Sequence, residues 1–134
     1  MIVSLHVATG AAGGALSGSR LGALALGPVL HLAGDLIPHH DIASRRFEAC
    51  SGLVLIGLLA ARHGTGPPVV GAIAASAPDL EHVLPLPRPG GRKLFPSHRV
   101  SGWHREGGIP AWAQLATAAL LVAAVLRRAS ARRG

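Results

Sequence analysis

Four of the six carboxylates in this chain sit in two short histidine-bearing motifs, and both motifs are set in apolar sequence. The first reads His31-Leu32-Ala33-Gly34-Asp35-Leu36-Ile37-Pro38-His39-His40-Asp41, the second Pro78-Asp79-Leu80-Glu81-His82; the remaining acids are Glu48 and Glu106. A buried charge without a partner is costly or neutralises itself. A divalent metal removes that cost, because carboxylate oxygen and imidazole nitrogen are its natural ligands. The constraint on the fold is therefore that two motifs some forty residues apart must meet.

The chain has 134 residues, the length of one domain spanning 1–134. Hydrophobic residues make up 49% and charged residues 14%, and the mean hydropathy is +0.42. Ordinary soluble domains carry roughly 25% charged residues, so the composition points to an integral membrane protein, with a very apolar soluble bundle as the other arrangement of the same residues. Two Trp, two Phe and no Tyr leave the packing to Ala, Leu, Val and 18 Gly. Close packing of small residues is typical of helices in lipid. The net charge of +7 suits anionic lipid or a phosphate-bearing substrate. Nucleic acid is not an expected partner, since no reading motif and no aromatic interleaving for base stacking is present. Cys50 is alone, so no disulfide can form within the chain. The N-terminus is unlike a signal peptide: it lacks a basic region and His6 interrupts its first apolar run.

Five helical segments are predicted, over residues 2–18, 20–37, 47–62, 69–84 and 111–126. Gly10, Gly14 and Gly18 fall on one face of the first, where another helix can approach closely. The second should end before Pro38, and the fourth should kink or restart at Pro78. The segment 85–110 is rich in Pro, Gly and Arg and reads as a long basic loop before the last helix. The expected fold is thus an all-α, multi-pass membrane bundle. Threading five spans alternately puts His6, the His31 motif, the Asp79 motif and His98 at the same end. The basic residues divide seven to six between the two ends, so the positive-inside rule sets no orientation. Arg127, Arg128, Arg132 and Arg133 make up most of the six.

His31 and Asp35 are four apart and share a helix face, as do Asp79 and His82 at a spacing of three. With His6, His39, His40, Asp41 and His98 they form a set of nine metal-ligand candidates. One zinc takes about four ligands, so nine suit two ions. Two-metal sites serve phosphoester hydrolysis by activating a water and stabilising the attacking and leaving oxygens. Asp79, His98 and Arg99 are the catalytic candidates, with Arg99 and Arg105 placed to bind phosphate oxygens. Glu81 is expected to project away from Asp79, His104 to be an interfacial residue beside Trp103, and His63 to lie at the opposite end.

These residues carry two resemblances. Pro78-Asp79-Leu80-Glu81-His82, the later Ser97-His98-Arg99 and the early His6 resemble a bacterial family of inner-membrane metal-dependent hydrolases that includes a LexA-regulated member. That family has an early His, a Pro-Asp-x-Asp-His element and a later Thr-His-Ser element. Here Glu81 stands in place of the second Asp and Arg99 follows the His. The His31–Asp35 pair followed by Pro38-His39 is similar to the His-x3-Asp…Pro-x-His element of zinc-dependent phospholipase C, an all-helical group with a zinc cluster. The resemblances imply residence in the bacterial inner membrane and a zinc-type hydrolase acting on a small-molecule or lipid phosphoester. The rival expectation is a non-catalytic membrane protein that binds or transports metal ions with the same cluster.

Overall fold

The computed structural model describes residues 1–131, and Arg132 and Arg133 lie outside them. The fold is all-α. Helix α1 (Val3–Ser17) ends at Gly18, whose positive φ of 67° turns the chain while its N–H closes on the Gly14 carbonyl. Helix α2 (Arg20–Leu36) is capped by Ser19, whose hydroxyl accepts from the Gly22 N–H. It ends at Ile37, which is extended, one residue ahead of Pro38. Helix α3 (Arg45–His63) starts at Ser44, which caps Phe47, and stops at Gly64. Helix α4 (Pro67–Ser76) begins on prolines, which need no N–H there.

The segment predicted as one helix over 69–84 is broken at Pro78 into α4, a 3-10 turn at Ala77–Asp79 and a single helical turn, α5 (Leu80–Val83). The long basic loop holds one further helical turn, α6 (Pro96–Arg99). The last helix, α7 (Ala111–Ala131), runs on beyond the predicted Leu126.

Helix α1 is the hub and packs against α2, α3, α4 and α7. Its Ile2, Leu5, Val7, Ala8 and Ala11 join Leu59 of α3, Val69 and Ala72 of α4, and Ala118, Val122 and Val125 of α7 in one core. Polar contacts fix its N-terminus. The Val3 N–H donates to Glu48 Oε2 at 2.7 Å, placing a carboxylate at the positive end of the helix. The Ile2 N–H donates to Gln114 Oε1, and Gln114 Nε2 donates to the carbonyls of His40 and Ile109. Gln114, fully buried on an otherwise apolar helix, thereby ties α7 to α1 and to the loop.

The approach of α1 to α4 is backbone on backbone. A Cβ at Gly10 would run into the Gly71 carbonyl and the Ala75 side chain, and one at Gly14 into the Pro67 carbonyl. Gly27 of α2 meets Ala74 of α4 in the same way. Gly18, expected on the same packing face, has open space around it and serves the turn instead. Gly10→Leu is therefore expected to destabilise the protein by about 3 kcal/mol, because backbone cannot move aside as a side chain can. Gly18→Ala should cost about 1 kcal/mol, through its left-handed φ alone. Thermal denaturation of both variants checks this, and a Gly10→Leu protein melting with wild type would refute the α1–α4 contact.

Among the described residues one helix is long and apolar enough to cross a membrane, α7 over Ala111–Arg128. Helices α1 and α2, of 15 and 17 residues, are shorter than a typical span of about 20. Large apolar side chains nevertheless face outward on several helices, among them Leu21 and Val29 of α2, Leu53 and Val54 of α3, and Trp112 and Leu120 of α7.

Candidate metal centre

The first turns of α1, the C-terminal half of α2, the turn at Ala77–Asp79, α5 and α6 converge at one end of the bundle. Asp35 lies at the centre, 1% exposed, and its two oxygens face two different sets of donors. Oδ1 is 3.1 Å from His6 Nε2, 3.7 Å from His104 Nδ1 and 2.8 Å from the Met1 amine. Oδ2 is 3.1 Å from His31 Nε2 and 3.4 Å from His98 Nε2, and accepts from the Ser97 hydroxyl at 2.6 Å. Asp79 Oδ1 stands 3.9 Å from His31 Nε2 and 3.7 Å from His98 Nε2.

Local sequence explains how the rings reach this point. The i, i+4 spacing puts His31 and Asp35 on one face of α2. Gly34 between them has no side chain where His6 arrives, since a Cβ there would stand 3.2 Å from His6 Cε1. His6 then stacks on His31 with centroids 3.8 Å apart. Pro78 breaks α4 so that Asp79 and His82 turn towards the same point.

Three histidines are held by their outer nitrogen. His31 Nδ1 is 2.7 Å from the Ala75 carbonyl, His39 Nδ1 is 2.6 Å from the Ile37 carbonyl, and His98 Nδ1 is 2.6 Å from Glu81 Oε1. A carbonyl only accepts, so His31 and His39 must carry a proton on Nδ1. His31 Nε2 then turns a lone pair inward towards the carboxylate oxygens of Asp35 and Asp79, while His39 Nε2 meets the Met1 amine and lies 3.1 Å from Asp41 Oδ1. His31 Nε2 and His98 Nε2 themselves lie 3.3 Å apart. Acceptors facing acceptors in a buried site call for a cation between them, either additional ring protons or a metal ion. Outer partners on carbonyl or carboxylate are the usual way a ligating histidine is oriented.

Ligand atoms from four overlapping groups come within 4.8 Å of one another: His6–His31–Asp79, His31–Asp35–His98, Asp35–His39–His104 and Asp79–His82–His98. Shared members fuse them into one cluster. Among the described residues, the buried polar atoms with no hydrogen-bond partner include His6 Nδ1, Asp79 Oδ2 and His104 Nδ1, all within it. Burial pushes the Asp79 carboxyl up to about 6 against the pull of His31 and His98. Burial, with the charges of His98 and Lys93, lowers His82 to about 4. The carboxylates of Asp35 and Asp41 raise His104 to about 9. This donor set, oriented and partly unpartnered, fits a divalent metal such as zinc.

Of the nine ligand candidates, His6, His31, Asp35, His39, Asp79, His82 and His98 are brought together. Asp41 sits at the rim, 46% exposed, 3.1 Å from His39 Nε2 and 2.8 Å from His104 Nε2. His40 is outside the cluster, contrary to its place among the candidates. Backbone pairing of His39 and His40 with the 105–109 segment holds this stretch extended. Successive side chains of extended chain point to opposite faces, so His39 is buried and His40 exposed.

His104 and Glu81 belong to the site although neither was counted among its ligands. His104 is delivered by a long-range backbone link, the Arg105 N–H to the Asp35 carbonyl at 3.3 Å. Glu81 is buried, accepts from the Leu94 and Phe95 N–H groups and holds His98, so it anchors α6 to α5. Those contacts hold its carboxyl below the usual range although burial opposes them. The signal for Glu81 was its place as the second acidic residue of the Pro78-Asp79-Leu80-Glu81-His82 element. Glu81→Gln is expected to weaken metal binding roughly 10–100-fold, the usual effect of losing an outer-shell partner. Competition against a chromophoric chelator measures it, and unchanged affinity would remove Glu81 from the centre.

A cavity of about 730 Å³ opens beside the cluster, between α3 and the loop, and Asp79, His82, Ser97, His98 and His104 line its polar side. Its basic side chains are Arg45, Lys93 and Arg99, and Asp41 and Glu48 line it as well. Arg105, expected beside Arg99, instead contributes its backbone to the His39 strand pairing and has an exposed side chain. Comparison with protein-family models, curated proteins and solved structures finds no match to this chain, so the functional reading stands on the residues of this centre.

Proposed function

We propose that the protein is a membrane-embedded, metal-dependent hydrolase acting on a phosphoester. The observation that carries this reading is Asp35, whose two oxygens face separate histidine sets, with His98 and His104 of those sets lining a cavity that Arg45, Lys93 and Arg99 also line. Such a carboxylate could serve two ions, and the imidazole-rich donors would favour zinc. His31, Asp35, His98 and Asp79 would hold one; Asp35, His39 and His104, with Asp41 at the rim, would hold the other once the Met1 amine, which contacts Asp35, His39 and Asp41, gave way. When bound, the metal supplies Lewis acidity towards phosphoryl oxygen and eases deprotonation of water.

The chain's own residues supply the rest. Arg99 and Lys93 face the cavity and neutralise phosphate oxygens. Asp79 Oδ2, buried and without a partner, orients the attacking water. In hydrolysis that water forms the new P–O bond, the ester P–O bond breaks, and the water's proton ends on the leaving oxygen. The outward leucines and valines of α2, α3 and α7 support residence in a membrane, the inner membrane if the resemblance of the Asp79 motif holds.

The test is product release by zinc-loaded protein in detergent from a panel of phosphomonoesters, phosphodiesters and phospholipids. Cleavage of one class supports the reading. A folded, fully metallated sample that cleaves none, yet carries metal across sealed vesicles, would establish the transport alternative. Ligands gathered at one end of the bundle, rather than along it, favour the hydrolase.

A further inference from the structure

The cavity beside the metal centre has two unlike halves. One half is charged and polar, lined by Asp41, Glu48, Asp79, His98, Arg45, Lys93 and Arg99. The other is lined by Ala49, Gly52, Leu53 and Ile56. These four residues follow one another along α3 beyond Arg45 and Glu48. At 1.5 Å per residue, Arg45 to Ile56 spans about 16 Å. The wall then continues as the outward face of α3, where Leu53 is 68% and Val54 60% exposed. A small hydrophilic phosphoester would touch only the first half and leave the apolar half wet.

We infer that the substrate is an amphiphile, with its phosphate beside the metal centre at Lys93 and Arg99 and one alkyl chain lying along α3 between Ala49 and Ile56. The charge at one end, the apolar wall continuous with it and the opening of that wall onto an exposed leucine face each match one part of such a molecule. The inference rests on the hydrolase reading for what happens to the phosphate. The seating of the tail is a binding property and can be measured without turnover.

Calorimetric titration of the zinc-loaded protein with dodecylphosphonate and ethylphosphonate, neither of which carries an ester, is the test. Wild type should bind the dodecyl compound roughly 30-fold or more tighter, since each buried methylene adds to affinity. Ala49→Trp, which fills the groove, should cut dodecylphosphonate binding about tenfold and leave ethylphosphonate within about twofold. Leu53→Gln, at an exposed position, should act in the same direction, and the zinc content of both variants reports that the centre is intact. For each phosphonate, partition into micelles cancels between wild type and variants in the same detergent, and the dodecyl-to-ethyl ratio is taken from free ligand concentrations measured after that partition. Equal affinity for the two phosphonates, binding of neither, or full chain-length preference in both variants would overturn the inference. Protein that binds dodecylphosphonate with the expected preference but cleaves no phosphoester would instead overturn the hydrolase reading and leave the groove assignment standing.

Discussion

Asp35→Asn should abolish stoichiometric metal binding. Wild-type protein purified with zinc present is expected to hold close to two ions per chain, and the variant fewer than one. The carboxylate is 1% exposed and each of its oxygens faces its own imidazole set, so no neighbour can substitute for it. Asparagine keeps the shape, removes the charge and offers an amide nitrogen that cannot ligate. Loss of an outer-shell partner costs roughly 10–100-fold in metal affinity, and loss of the shared central ligand should exceed that. His40→Ala, at an exposed position outside the cluster, should retain the full complement. His63→Ala, on the last residue of α3, should do the same. Elemental analysis of the three variants beside wild type decides the matter. A wild-type sample that takes up no metal on titration would end the hydrolase reading, and equal loss in His40→Ala would point to misfolding.

Asp79→Asn should cost catalysis more than binding. Its Oδ1 faces His31 and His98 while its Oδ2 is buried without a partner, an arrangement suited to holding a water against the cluster. Removing one preorganised polar group at a reacting centre costs about 100-fold or more in rate. The expected result is that loss in kcat/KM on whichever phosphoester is cleaved, with at least one metal ion retained. Cys50→Ala should change nothing, since Cys50 is exposed on α3. Ser97→Ala is the sharper control. Its hydroxyl orients Asp35, so a loss of roughly 10–100-fold is expected. A serine acting as nucleophile would cost about 10⁶-fold, and a loss of that size would replace the water mechanism by a covalent one.

Much of the local structure was legible because it depends on neighbours in sequence. The end of α2 follows from the proline at 38 and the break after Ser76 from Pro78, whereas α3 starts at Arg45 rather than the expected 47 because the Ser44 hydroxyl caps it. The shared faces of His31 with Asp35 and of Asp79 with His82 follow from helical spacing alone. Alternation of helix direction was enough to place His6, Asp35, Asp79 and His98 at one end. Glycine spacing marked the close face of α1, although Gly18 proved to be the turn and the true partners of Gly10 and Gly14 lie on α4.

The long basic loop was where residue-by-residue reading failed. His104 enters the centre and His40 leaves it because backbone pairing between the 39–40 and 105–109 segments sets the direction of each side chain. Glu81 turns inward because the Leu94 and Phe95 N–H groups and the His98 ring lie there to receive it. Lys93 and Arg45, rather than Arg105, face the cavity beside Arg99 for the same kind of reason. Sequence by itself determined the main helices, the proline-set breaks and the pairs of ligands that one helical turn can hold, since these rest on interactions a few residues long. Tertiary structure alone decided which pairs share a centre, which loop residues complete it and how the apolar groove meets it. Those depend on contacts between residues separated by 13 in the case of Glu81 and Leu94 and by 67 in that of His31 and His98, where a single change of backbone direction sends a side chain to the opposite face.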